Sequence, residues 1–162
     1  MSKSNTVPND RAKVKGFFRL EIENSDGSIA GDSGWVPNQI TNLGFNNFLC
    51  GAFAQLAGSL QVGTISIGSG GAAAVDDTSM GGEISTAKRI GVTAASSAGS
   101  KGVLFTATFN SANSFLAGAS NLSNVGLFGS NTTSPVFAVA AYASSACATN
   151  QNVNVSYAIN FT

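Results

Sequence analysis

The sequence predicts a mainly β chain, an antiparallel β-sandwich or jelly-roll-like fold with one helix near residues 42–57. Three observations carry this. Val153, Val155, Tyr157, Ile159 and Phe161 alternate with Asn152, Asn154, Ser156, Ala158 and Asn160, the period-two pattern of a strand with one face on a core. Short stretches of this kind recur at a spacing of roughly ten residues, separated by Gly, Ser and Asn turns, as in sandwiches. One segment alone steps by three and four: Phe45, Phe48, Leu49, Ala52, Phe53 and Leu56 line one helical face.

The elements follow in order. Residues 1–15 are polar and basic and read as an N-terminal arm ahead of a single domain, 16–162. Phe17–Glu23 alternates and ends in the turn Asn24-Ser25-Asp26-Gly27; Ile29 and Trp35-Val36 suggest a further short extended stretch closed by Pro37-Asn38. Thr41 or Asn42 is placed to cap the helix, and Gly58 sits where a C-terminal glycine belongs. Gly44 and Gly51 weaken this helix by about 1 kcal/mol each relative to Ala, so it must draw its stability from tertiary packing. Val62 and Thr64–Ile67 read as a strand leading into the loop 68–74, and Ile84–Val92 as a weaker strand. Thr93–Ser100 is low in complexity and reads as a loop. Val103–Phe109 alternates, and Val125–Phe128 and Val136–Val139 are apolar runs flanking a turn-rich stretch.

Composition narrows the chemistry. The chain has no histidine, and no charged side chain follows Lys101. Proton transfer near neutral pH most often rests on histidine, so a hydrolytic or phosphoryl-transfer enzyme is disfavoured. Eight basic and eight acidic residues give zero formal charge, which argues against a general nucleic-acid or anionic-membrane binder. No run is long enough to span a bilayer and no secretory leader is read. Much of the positive charge lies early, at Lys3, Arg11, Lys13, Lys15 and Arg19, a basic arm suited to an acidic protein surface. Cys50 and Cys147 stand far apart; spacing alone does not pair them, and two free buried thiols are favoured.

The motifs that suggest chemistry are weak. Gly31-Asp32-Ser33-Gly34 resembles the nucleophile turn of trypsin-like proteases but lacks a histidine base. Ser85-Thr86-Ala87-Lys88 fits S-x-x-K without its companion motifs, and Gly68-Ser69-Gly70-Gly71 lacks the G-K-[ST] ending of a phosphate loop. Asp76, Asp77 and Glu83 form an acidic cluster without a calcium-loop spacing and read as a solvated turn. Trp35, Tyr142 and Tyr157 are the aromatic residues that would stack on a sugar, with core or interface packing the commoner use. No cofactor or metal is expected.

The order of Ile40-Thr41-Asn42-Leu43-Gly44, Ile67-Gly68-Ser69-Gly70, Asp77-Thr78-Ser79-Met80-Gly81-Gly82-Glu83, Asn124-Val125-Gly126-Leu127-Phe128 and the alternating Val153–Phe161 resembles a broad group of tailed-bacteriophage structural proteins, over most of residues 36–162. Tail-associated members carry an acidic residue before V-G-L-F, where this chain has Asn124. The resemblance implies a virion component without enzymatic activity, made in the bacterial cytoplasm. The leading expectation is a capsid decoration (cement) protein, trimeric, bound to the major capsid protein. Its partner-binding residues would be Lys3, Arg11, Lys13, Lys15, Arg19 and Trp35, with no nucleic acid or membrane involved. The alternatives are a tail, baseplate or fibre-attachment protein and, from a different class, a glycan-binding module.

Overall fold

A computed structural model of the chain describes residues 13–162, apart from residues 55, 56, 59, 97, 98, 131 and 132. In chain order the strands are β1 (Val14–Glu23), β2 (Ile29–Asp32), β3 (Val36–Pro37), β4 (Gln39–Ile40), β5 (Val62–Gly68), β6 (Ile90–Gly91), β7 (Thr93–Ala95), β8 (Gly102–Phe109), β9 (Ser120–Gly129), β10 (Val136–Cys147) and β11 (Asn152–Phe161). They form two antiparallel sheets. The first has the order β2-β1-β11-β8-β7, with β3 also pairing β1; the second has the order β4-β10-β9-β5-β6. The mainly β sandwich read from the sequence is the observed architecture.

Alternation dictates which residues meet between the sheets. Phe18, Leu20 and Ile22 of β1 and Val153, Val155, Tyr157 and Ile159 of β11 are all buried, and the register sets Phe18 opposite Tyr157 and Tyr157 opposite Phe105. From the second sheet, Ile65, Ile67, Val125, Leu127 and Phe137 pack into the same core. Each such side chain contributes about 1.5–3 kcal/mol by leaving water. Rings add directed contacts: Phe18 lies 5.4 Å from Tyr142 and 6.5 Å from Tyr157 between centroids, and Phe48 meets Phe137 edge-on at 5.2 Å.

The helix differs from its expected form. Its central part, Gly44–Cys50, is a π-helical turn that runs into a short α-helix, α1 (Gly51–Ala54). A π-turn advances more residues per turn than an α-helix, so the residues spaced by three and four do not all share one face. Phe48 is buried, whereas Phe45 and Phe53 are exposed; Leu56 lies outside the described residues. The two glycines that looked like weak points are, with Phe48, the buried positions. A Cβ on Gly44 would run into the Phe137 carbonyl oxygen, so glycine is what lets the helix lie on β10. Thr41 is the cap: its Oγ1 accepts from the Gly44 N–H at 2.9 Å and donates to the Val136 carbonyl at 2.9 Å.

Two other segments depart from expectation. Ile84–Val92 is not a continuous strand; a 3₁₀ turn, Ser85–Ala87, and a positive φ of 54° at Lys88 leave only Ile90–Gly91 to pair with β5. The stretch read as a loop from Thr93 instead opens with β7, which borders β8 at Thr93–Ala95. Small residues at a sheet edge carry no apolar alternation, so pattern alone does not reveal such a strand. Both cysteines are free, but only Cys147 is buried; Cys50 is exposed on the π-turn.

Candidate functional site

Four of the five sequence motifs meet on the outer side of the second sheet, around β9. In β9 the run Asn124–Phe128 alternates: Val125 and Leu127 enter the main core, while Gly126 and Phe128 face the other way. Over that outer face folds the loop between β5 and the Ser85–Ala87 turn. Met80 from the loop joins Phe128, Val136 and Val139 in a second, smaller apolar cluster. A Cβ on Gly126 would lie 2.7 Å from the Phe128 ring and 2.8 Å from the Met80 sulfur, so only glycine leaves room for them.

Asn124 fastens this loop. Fully buried, it donates from Nδ2 to the carbonyls of Gly81 (2.9 Å) and Gly71 (3.2 Å), and its Oδ1 accepts from the Gly70 N–H at 3.3 Å. Ser123 Oγ adds a bond to the Gly70 carbonyl at 2.8 Å. Backbone bonds from Asn42 N to Val75 O and from Val136 N to Thr78 O tie the loop to the start of the helix and to β10. The fifth motif, Val153–Phe161, is β11 of the other sheet.

Two of the three acidic residues, Asp77 and Glu83, are engaged by the protein itself. Glu83 pairs with Arg89 through two bonds of 2.9 and 3.1 Å; Arg89 also donates to the Ser134 carbonyl at 2.8 Å and lies 3.6 Å over the Phe128 ring. Burial alone would raise the Glu83 carboxyl, but the hydrogen bond and charge of Arg89 outweigh it and hold the group below its ordinary value. Asp77 accepts from the Ala74 N–H at 2.8 Å, closing a turn. Among the described residues no group of three metal-ligating side chains occurs.

The residues expected to bind a partner are divided. Lys3 and Arg11 lie outside the described residues. Lys13, Lys15 and Arg19 do not belong to an arm: the Lys13 backbone exchanges bonds with Thr162, Lys15 stands opposite Asn160, and β1 has begun at Val14, inside the expected 1–15 segment. The alternation that made Phe17–Glu23 a strand continues upstream through Val14, where small and basic residues hide it. Arg19 is held by Asp32 at 3.0 and 2.7 Å and by Glu21 at 3.0 Å. The bond from Arg19, aided by the Gly34 N–H, draws the Asp32 carboxyl down to about 2. Trp35 is 53% exposed in the bend between β2 and β3 and stays available to a partner. Tyr142 and Tyr157 do not: Tyr157 is fully buried and Tyr142 packs on Phe18, so neither offers a ring face to a sugar. Burial raises both phenols above their ordinary range.

What remains open is the outer face of the first sheet. The register aligns Pro37, Phe17, Ala158, Leu104 and Ala95 in one row across four neighbouring strands and β3's edge. The next row is Arg19, Ser156, Thr106 and Thr93, whose one charge is already paired. Sequence inspection missed this row because its members come from five strands and meet only through pairing. No helix among the described residues is long and apolar enough to cross a membrane. Comparisons with protein-family models, with curated proteins and with solved structures found no match.

Proposed function

We propose that the chain is a structural component of a bacteriophage particle, a capsid decoration protein that binds and stabilises the major capsid lattice through non-covalent contacts. The observation that supports this most is the convergence of Ile40–Gly44, Ile67–Gly70, Asp77–Glu83 and Asn124–Phe128 on one layer around β9. Four of the five motifs behind the phage resemblance thus sit together in one interlocked layer, which supports reading them as a unit. The row Pro37-Phe17-Ala158-Leu104-Ala95 carries no charge and lies between the paired Arg19 and Lys15 on the same face, so the row itself can be buried without desolvating an ion.

In this reading the protein works by binding alone. Apolar area buried against neighbouring subunits raises the barrier to their separation under internal pressure, and Trp35, with the basic residues Lys3 and Arg11, fixes register on the lattice. The protein assembles with itself and with capsid or other virion proteins, and needs no cofactor, nucleic acid or membrane. The test is its copy number in purified particles relative to the major capsid protein. A ratio of the same order is expected. A few to a few dozen copies would move it to the tail, baseplate or a vertex, and absence from particles would overturn the reading.

A further inference from the structure

Beside the helix the sandwich is incomplete. Between Phe48, Leu49 and Ala52 on one side and Phe105, Ile159 and Phe161 on the other lies an open cleft of about 220 Å³, with no charged residue in its lining. On the same short helix, one residue after Ala52, Phe53 is 83% exposed. The helical residues from Asn42 to Ala54 carry no charge at all. An exposed ring and an uncharged apolar cleft thus lie next to one another along the same helix.

We propose that this end of the sandwich is a self-association surface, on which Phe53 of one copy enters the cleft of a second copy. A closed symmetric contact requires a patch that complements itself, and a patch holding both the ring and its receptor meets that condition. The size suits the occupant, since a benzene ring is held by an apolar cavity of about 150 Å³. The lack of charge on both sides means that no ion is stranded on association. The cleft also shares Val103 and Phe161 with the depression that runs past Lys101 over Leu104 and Ala158, so the contact can spread onto the neutral row of the first sheet with Lys101 at its margin. A competing occupant is the chain's own start, which joins the sheet at Lys13 beside Thr162. Met1–Ala12 suits an apolar cleft poorly: Met1, Val7, Pro8 and Ala12 are separated by polar and charged residues.

The proposal rests on the self-association part of the function above and not on where in a particle the protein sits, so purified protein alone tests it. Sedimentation over a concentration series should show a defined oligomer. Phe53→Asp should weaken association by about 30-fold or more, the loss expected for a buried aromatic anchor. Because Phe53 touches little within its own chain, the variant should melt as a folded monomer. Cys50, exposed on the same helix, gives a second readout: its alkylation should slow as the wild type is concentrated and stay constant in Phe53→Asp. Wild-type protein that remains monomeric at all concentrations overturns the proposal, as does an oligomer untouched by Phe53→Asp. An oligomer that dissociates only when residues 1–12 are deleted also overturns it, and assigns the contact to the N-terminal segment. A low copy number in particles would overturn the decoration reading and leave this surface standing.

Discussion

Asn124 shows what one side chain must be to hold a loop. Its neighbours present two carbonyls and one N–H, so the residue needs two donors and an acceptor, and an amide alone among small side chains supplies them. An acidic residue at this position would face the Gly71 and Gly81 carbonyls with lone pairs. Asn124→Asp is therefore expected to cost about 2–4 kcal/mol at neutral pH, the loss of satisfied buried partners plus the burial of a charge. Burial and the facing carbonyls raise the folded-state pKa of the new acid above its unfolded value of about 3.9. The penalty is then small below about pH 4, where the protonated acid can donate one bond, and grows as pH rises through the folded value. Melts of variant and wild type from pH 3.5 to 7.5 should diverge upward; a pH-independent difference would refute the account.

At the level of elements, the helix separates what propensity says from what packing requires. Ala is the better helix former by about 1 kcal/mol, so Gly44→Ala should stabilise an isolated helix. Here the added methyl group has no room against the Phe137 carbonyl, and overpacking costs typically about 1–3 kcal/mol. The net expectation for Gly44→Ala is a lower unfolding midpoint in urea with an unchanged slope. A raised midpoint would mean that the helix is free to lift from β10. The same element marks the limit of periodicity as a guide. Residue type narrows the cap to Thr41 or Asn42, and β1, β8 and β11 announce their buried faces through alternation. The π-turn leaves no such mark, because the aromatic residues at three- and four-residue steps fit an α-helix better than the structure they form. Lys88 and the pairing of β7 were equally hidden, since each depends on contacts distant in sequence. The fastening of the β5-following loop was legible only in outline: the order of its motifs stands in the sequence, whereas the hydrogen bonds that join them do not.

For the molecule as a whole, the first and last strands lie side by side over ten residue pairs, from Val14 opposite Phe161 to Glu23 opposite Asn152. Folding and partner binding should separate at this boundary. Removing residues 1–12 leaves every described strand pair intact, so the domain is expected to fold with a thermal midpoint within about 2 °C of the full chain, a shift of about 0.5 kcal/mol. If the basic residues Lys3 and Arg11 anchor the protein to a particle, the same deletion should abolish co-sedimentation with particles. Unchanged binding would remove them from the interface. Cutting at residue 15 is a different experiment, because it strips the first rungs of β1. The adjacency of Lys13 and Thr162 also gives the domain a mechanical grain. Tension applied to its two ends would part the β1–β11 seam like a zipper, one rung after another, at low force. A load spread across the faces of the sheets would meet many rungs together. A part that must withstand stretching is therefore best gripped by its faces, with at most one end tethered.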